Sequence, residues 1–360
     1  HISPYSPSSR LFLNVLHIDV EAVADFEECL EARKRVEAAD FRALLHTLRS
    51  SELVDYPEVA RIKREILELL YNHFCQHHLA PASERAHQFR AFQRDGGEEL
   101  YRHALFETLH EHFYPRIEGW GWVAWPERYR DPSSAAVLEF ARSHASRIEF
   151  FEYLQWQAEL QLGAAGARSL AIGLGIGLYA DLAVSVDRAG SEVWGNPGLY
   201  ADGVSIGAPP DAFNLEGQQW GLAPWIPGRL QQRAYGPLIA VLRRNMRHAG
   251  ALRLDHVMGL RRLYWVPDGN SAADGAYVNY PFDDLLGIVA LESHRNRCLV
   301  IGEDLGTVPA DLRQQLARRG VLSYRLLLFE RTAEGDFAAP ADFPVQALVA
   351  PTTHDLPTLA

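Results

Sequence analysis

Cysteine is scarce in this sequence: three in 360 residues, Cys29, Cys75 and Cys298, odd in number and far apart. That spacing argues against a disulfide framework, and the three read as buried or incidental thiols of a reducing compartment. Long hydrophobic runs are missing too. None reaches the ~18 residues that a bilayer-spanning helix needs, and no signal-peptide pattern opens the chain, so a cytoplasmic protein with no membrane partner is expected. Positive charge is outweighed: the formal net charge is -11 and no long basic run occurs, which argues against a nucleic-acid partner. An acidic balance suits a neutral, polyhydroxylated substrate without requiring one.

What is present is an ordinary globular mix, 48% hydrophobic and 22% charged, long enough for one large domain or two. The first residue is His1, not methionine, and the chain stops at Ala360 just past a candidate site. It is therefore read as an excerpt of a longer protein.

Three stretches share one construction. The apolar run 250–254 ends abruptly in charge, with Arg253, Asp255 and His256 at its close. The run 298–302 passes into Glu303 and Asp304, and 347–353 into His354 and Asp355. Parallel strands deliver catalytic groups to the rim of a barrel in this way, so one site built from Asp255, Glu303 and Asp355 is expected. The separations, 48 residues and then 52, fit one strand–helix repeat with an inserted loop followed by two repeats. A (β/α)8 barrel averages roughly 31 residues per repeat, and strands four, five and seven would carry the three acids.

Taken in order, residues 1–18 are loop-like, with alternating Ser and Pro around Tyr5. Tyr5 either packs this loop down or offers a flat platform to a ligand. Residues 21–113 have helical spacing, and Asp55-Tyr56-Pro57 reads as a helix start. Gly96-Gly97 marks a turn between helices. His73 and His77 stand four apart, a spacing able to clasp a metal, but no Cys or carboxylate completes a set, and packing histidines are the weightier reading. A Trp- and Pro-rich connector follows, then one long helix from a Ser133-Ser134 cap to about Leu162. The Gly-rich run 170–181 does not match G-x-G-x-x-G; it reads as a crowded barrel strand ending in Asp181, a further strand-end acid. Residues 190–228 read as one long loop carrying Phe213, Trp220 and Trp225, a length that is usually functional. Its rings suit either a lid on sugar faces or a hydrophobic base. A helix is expected after Asp255, a second loop at 268–275, helices from 282 and over 311–319, and strands at 298–303, 324–329 and 347–353.

Acids and an arginine at a barrel mouth suit glycosidic bond cleavage, one carboxylate attacking the anomeric carbon and a second carboxyl protonating the leaving oxygen. Arg253 and Asp255, two apart on a strand, face the same side, so the guanidinium would keep Asp255 ionised and oriented. Glu303 would need a raised pKa instead. The residues leave two rivals open: a metal-dependent barrel hydrolase using the same acids and His354, and a non-catalytic glycan binder.

At these residues the chain resembles the 4-alpha-glucanotransferases (amylomaltases, disproportionating enzymes) of glycoside hydrolase family 77, in the alpha-amylase superfamily. The matching stretches are S-P-Y-S-P-S-S-R at 3–10, S-I-G-A-P-P-D at 205–211, R-L-D-H-V-M-G at 253–259, G-E-D-L-G-T-V-P at 302–309 and T-H-D-L-P-T-L at 353–359. The resemblance implies Asp255 as nucleophile, Glu303 as general acid/base and Asp355 as transition-state stabiliser. It places Tyr5, Asp181, Trp220, Arg253, His256 and His354 around the substrate. It also implies transfer of alpha-1,4-glucan segments between maltooligosaccharides through a covalent glycosyl-enzyme, with no cofactor. A retaining alpha-glucan hydrolase or debranching-type enzyme is the alternative. By the family layout this is an α/β chain with a partial (β/α)8 TIM barrel: residues 1–20 the loop after strand two, 21–132 a helical insertion, and 133–360 strands three to seven with the lid loop 190–228. Residues 1–360 alone are then expected to fold poorly, because barrel edges and core faces stay open.

Overall fold

The computed structural model describes residues 3–114, 116–211 and 214–353. Phe213, His354 and Asp355, singled out above, lie outside them.

The first half is helical. Asp55 caps the helix Tyr56–Phe74 by accepting from the Glu58 amide at 3.1 Å, with Pro57 in the first turn. Ile62, Ile66, Leu70 and Phe74 recur every four residues and are buried, so one apolar stripe turns inward. A π-helical turn, Cys75–Leu79, continues it. In Glu84–Phe113, Gly97 takes φ 54° and ψ -145°, a backbone only glycine adopts readily, and the chain kinks at the predicted turn. These helices share a core with Tyr153, Trp156, Trp125 and Trp194.

The single helix expected from residue 133 is two. Ser134 caps Ala135–Ser143 as anticipated, accepting from Val137 N at 3.3 Å. His144 then leaves helical geometry (φ -120°, ψ 23°), and Ala145–Ala171 follows. This second helix runs past the expected end at Leu162. Its glycines serve packing: a Cβ on Gly166 would sit 2.8 Å from the His248 carbonyl oxygen. The crowded strand expected over 170–181 is therefore mostly helix end and turn. Gly173 and Gly177 take φ 93° and 78°, and only Tyr179–Leu182 is extended.

The strands form two sheets. They are β1 (Tyr179–Leu182), β2 (Val186–Asp187), β3 (Val204–Ala208), β4 (Gln218–Ala223), β5 (Ala251–Leu254), β6 (Arg262–Pro267), β7 (Ala276–Asn279), β8 (Leu299–Gly302), β9 (Leu322–Leu326) and β10 (Ala347–Ala350). One sheet has the order β1-β5-β8-β9-β10 and is parallel throughout. Helices Gly236–Met246, Phe282–Asn296 and Leu312–Arg318 lie on its crossovers. Leu238, Val241 and Leu242 of the first, with Leu285 and Val289 of the second, pack on Leu252, Leu254 and Val300. All four residues of β5 are buried, the mark of a strand covered on both faces.

The second sheet is antiparallel, in the order β2-β4-β3-β6-β7, and it corrects two expectations. Residues 190–228 are not one loop, because they contain β3 and β4. Asp255 is followed by a short 3-10 turn, Val257–Leu260, and then β6 rather than a helix. Neither is legible locally, because the sheet is completed by the pairing of β3 with β6, about sixty positions on (Val204 opposite Pro267). Gly207 belongs to the β3–β4 pairing: a Cβ there would stand 2.1 Å from the Gln218 oxygen.

Candidate active site

The parallel register assembles the site. Asp181 pairs with Arg253 across β1 and β5, and Leu254 pairs with Gly302 across β5 and β8. Asp255 and Glu303 are therefore the next residues out on neighbouring strands, whose backbones run about 4.8 Å apart. Arg253, 6% exposed, lies two residues before Asp255 on the same face. One end of its guanidinium donates to both oxygens of Asp181 at 2.8 and 2.9 Å, and the other end reaches Asp255 Oδ1 at 2.8 Å. Burial lowers the arginine pKa, but Asp255, Asp181 and Glu303 together outweigh it and the net shift is upward. The arginine is thus a fixed cation that orients Asp255.

Glu303 is treated in the opposite way. It is 8% exposed, and burial, helped by the Asp255 charge, raises its pKa from 4.5 to about 7 against the amides of Leu305 and His256 and the charge of Arg253. Those amides fix its direction: His256 N donates to Oε2 at 2.9 Å and Leu305 N to Oε1 at 2.7 Å. The first bond depends on a left-handed residue, His256 at φ 49° and ψ 60°, which turns the chain at once after Asp255. Gly302 lets this turn close: a Cβ there would lie 2.9 Å from Val257 Cγ2. The result is two carboxyls at adjacent strand ends, one paired with a cation and one poised to hold a proton near neutrality.

The other sequence candidates fall around this pair. The His256 ring, its pKa pushed down to about 4 by burial, meets the Trp220 indole edge-on at 5.2 Å. Trp220 donates to Gln218 Oε1 at 2.9 Å, so β4 sets its place above the strand ends. Tyr5 is 51% exposed, on a segment pinned two and three residues later: Pro7 O accepts from Asp187 N at 2.9 Å and Ser8 O from Glu192 N at 3.0 Å. Trp225 stacks under Arg10 with 4.2 Å from Cζ to ring centre. His73 and His77 stack on each other at 4.0 Å in the helical region. Among the described residues no group of three or more His, Cys, Asp or Glu is arranged to hold a metal ion.

Two supporting clusters escaped the sequence reading. Arg10 is buried with Glu192 and Tyr200, donating to Val184 O at 3.0 Å and Glu192 Oε1 at 3.2 Å. It lines, with Asp255, His256, Trp225 and Tyr280, an open pocket behind the strand ends. The second cluster is built on Asp304, wholly buried beside Glu303. An arginine closing a Ser/Pro loop and a second acid after Glu303 were the available signals, but their partners lie up to 190 positions away.

The family model for 4-alpha-glucanotransferase matches residues 1–360. The chain belongs to that family. It is 40% identical over 361 residues to the 4-alpha-glucanotransferase of Haemophilus influenzae, covering 99% of this chain and 52% of that one. With the 4-alpha-glucanotransferase of Mycobacterium bovis it shares 38%, covering 99% and 48%. The chain thus spans about half the length of these curated relatives. The amylomaltase of Corynebacterium glutamicum superposes with a TM-score of 0.84 at 32% identity, covering 99% of this chain and 47% of that one. The Streptococcus agalactiae amylomaltase in complex with acarbose, at 20% identity, is alike in fold (TM-score 0.81), with 98% and 69% covered. No helix among the described residues is long and apolar enough to cross a membrane.

Proposed function

We propose that this chain carries the catalytic centre of a 4-alpha-glucanotransferase that moves alpha-1,4-glucan segments between maltooligosaccharides. The observation that carries the reading is the opposite setting of two carboxyls on adjacent strands: Asp255 held by Arg253, and Glu303 raised to about 7. A retaining double displacement needs these two states about 5–5.5 Å apart. Asp255 is the nucleophile, and Glu303 first protonates the leaving glycosidic oxygen. Asp255 then carries the glycosyl ester while Glu303, now a base, takes the proton of the incoming acceptor hydroxyl.

Arg253 keeps Asp255 aimed. Asp181, on the same guanidinium, supplies acceptors for sugar hydroxyls at the donor end. Trp220, buttressed by His256, gives a flat face for an acceptor ring, and Tyr5 another beside the cleaved bond. The family resemblance gives Asp355 the task of stabilising the charge of the oxocarbenium-like transition state and His354 a sugar contact. Transfer instead of hydrolysis follows when the ester is screened from water until an acceptor hydroxyl arrives, a task for the segment around β4.

The five parallel strands are strands three to seven of a (β/α)8 barrel in the whole protein, with 21–132 a helical insertion and 1–20 a preceding barrel loop. The reading is tested by incubating the full-length protein with maltotriose and separating the products over time. Glucane ladder formation, meaning longer maltooligosaccharides together with glucose, is expected, and should vanish in Asp255→Asn. Shorter sugars alone would make the protein a hydrolase, and loss of turnover on adding EDTA would move it to the metal-dependent class.

A further inference from the structure

Asp304 follows the acid/base glutamate, yet its side chain serves neighbours on the far side of the strand. It is 0% exposed. Oδ2 accepts from Ser323 Oγ at 2.6 Å and from Arg313 Nε at 2.8 Å, and Oδ1 accepts from Tyr324 N at 3.0 Å. A second arm of Arg313 reaches the Asp304 carbonyl oxygen at 2.9 Å. Backbone and side chain of this one residue are thus clamped together by a single guanidinium.

The location of the clamp gives it meaning. Backbone pairing between β8 and β9 covers only two residue pairs, Ile301 with Leu322 and Gly302 with Ser323, whereas β5 and β8 share four. The Asp304 carboxylate carries the junction on from where the ladder stops, one residue past Glu303. The Tyr324 amide that it binds belongs to the residue whose ring lies 5.6 Å from the Arg253 guanidinium carbon. Arg253 in turn orients Asp255. One buried carboxylate therefore acts on both halves of the pair through its neighbours: it fixes the backbone next to Glu303, and through Tyr324 it sets the floor beneath Arg253.

We propose that Asp304, with Arg313 and Ser323, is a positioning group that holds the acid/base Glu303 and the Arg253–Asp255 pair in one fixed relation. Its contribution is to the chemical step and not to substrate binding. The inference rests on the reading of Glu303 and Asp255 given above. Asp304→Asn keeps the volume of the side chain but leaves one acceptor oxygen for three donors, so the strand end relaxes and Glu303 gains access to water. Misplacement of a reacting group by about 1 Å lowers rates on the order of 100-fold.

The test uses the full-length protein and maltotriose. For Asp304→Asn, kcat should fall by about 100-fold with KM changed less than about threefold. The basic limb of the kcat/KM profile should move to lower pH, because a better-solvated Glu303 gives up its proton sooner. Ser323→Ala, which removes one donor to the carboxylate, and Arg313→Gln, which removes both guanidinium contacts of a partly exposed arginine, guard against a variant that fails to fold; both should show the same shift on a smaller scale. If all three keep the parental pH profile, with losses of rate that only follow losses of folded protein, Asp304 is a structural stitch and the proposal is wrong. If the parent itself does not turn over alpha-glucans, the underlying reading fails along with it. An active parent with unshifted variants overturns the positioning role alone.

Discussion

Glu303 and Asp255 are both carboxylic acids, and their neighbours set them apart. Asp255 meets a guanidinium at 2.8 Å, while Glu303 meets buried surface and a like charge. A raised carboxyl pKa bears on stability as well as on catalysis. The folded state binds the Glu303 proton more tightly than the unfolded chain, so its stabilising contribution is complete below the unfolded pKa of 4.5 and is lost as pH rises through about 7. The amount at stake is on the order of 3 kcal/mol. Glu303→Gln carries no charge to bury. Its full-length form should melt above the parent at about pH 8.5, and the gap should shrink toward about pH 5; a difference that ignores pH would contradict the assignment. In the same way, kcat/KM of the parent should fall on the alkaline side with a midpoint near the Glu303 value of about 7, read from a pH–rate profile on maltotriose.

The acids were legible in the sequence because strand ends advertise themselves: an apolar run followed at once by charge. Arg253, two before Asp255, was legible by the same alternation. Asp304 was not, since its partners Arg313, Ser323 and Tyr324 belong to later elements and no local pattern joins them.

At the scale of elements, glycine separates two kinds of requirement. Gly302 ends β8 where the chain after Asp255 folds back, and an added Cβ would press on three Val257 atoms at 2.9–3.0 Å. Gly302→Ala should therefore push Glu303 away from His256 N and lower kcat by more than its effect on the urea midpoint explains. Gly287, inside the helix Phe282–Asn296, has nothing within 4 Å of a built Cβ. Gly287→Ala should raise stability by about 0.5–1 kcal/mol and leave kcat alone; urea denaturation of both variants separates the cases. The parallel strands were readable for a related reason. Buried on two faces, they print as short continuous apolar runs. The antiparallel sheet is not legible in the same way, because glycine interrupts β3 and β4 and the second partner of β3, β6, lies about sixty positions on, while the glycines of 173–177 turn the chain instead of extending it.

For the whole molecule, helical periodicity identifies most of the first half but not its extent, since Ala145–Ala171 packs Gly163 and Gly166 against His248, about eighty positions on. Spacing alone points to Asp255 and Glu303 on neighbouring parallel strands, as β5 and β8 are; the five-strand layout comes from the family resemblance. Among the described residues β1 pairs on one side only, with β5, and Leu170, Ile172, Leu174, Ile176 and Tyr179 beside it are 48–60% exposed. An open edge next to so much apolar surface is an aggregation site. Residues 1–360 expressed alone should associate through it, and a monodisperse, cooperatively melting sample in light scattering and calorimetry would count against the proposed barrel arrangement.

The central claim is that Asp255 bonds to the sugar while Glu303 manages the proton. The most direct test supplies the full-length Glu303→Gln variant with maltosyl fluoride, whose leaving group needs no acid, and maps the protein by peptide mass spectrometry. A maltosyl unit esterified to Asp255 should accumulate, because the base that would activate the acceptor is gone, and it should be discharged by azide. No adduct, or an adduct on any other carboxylate, would contradict the account.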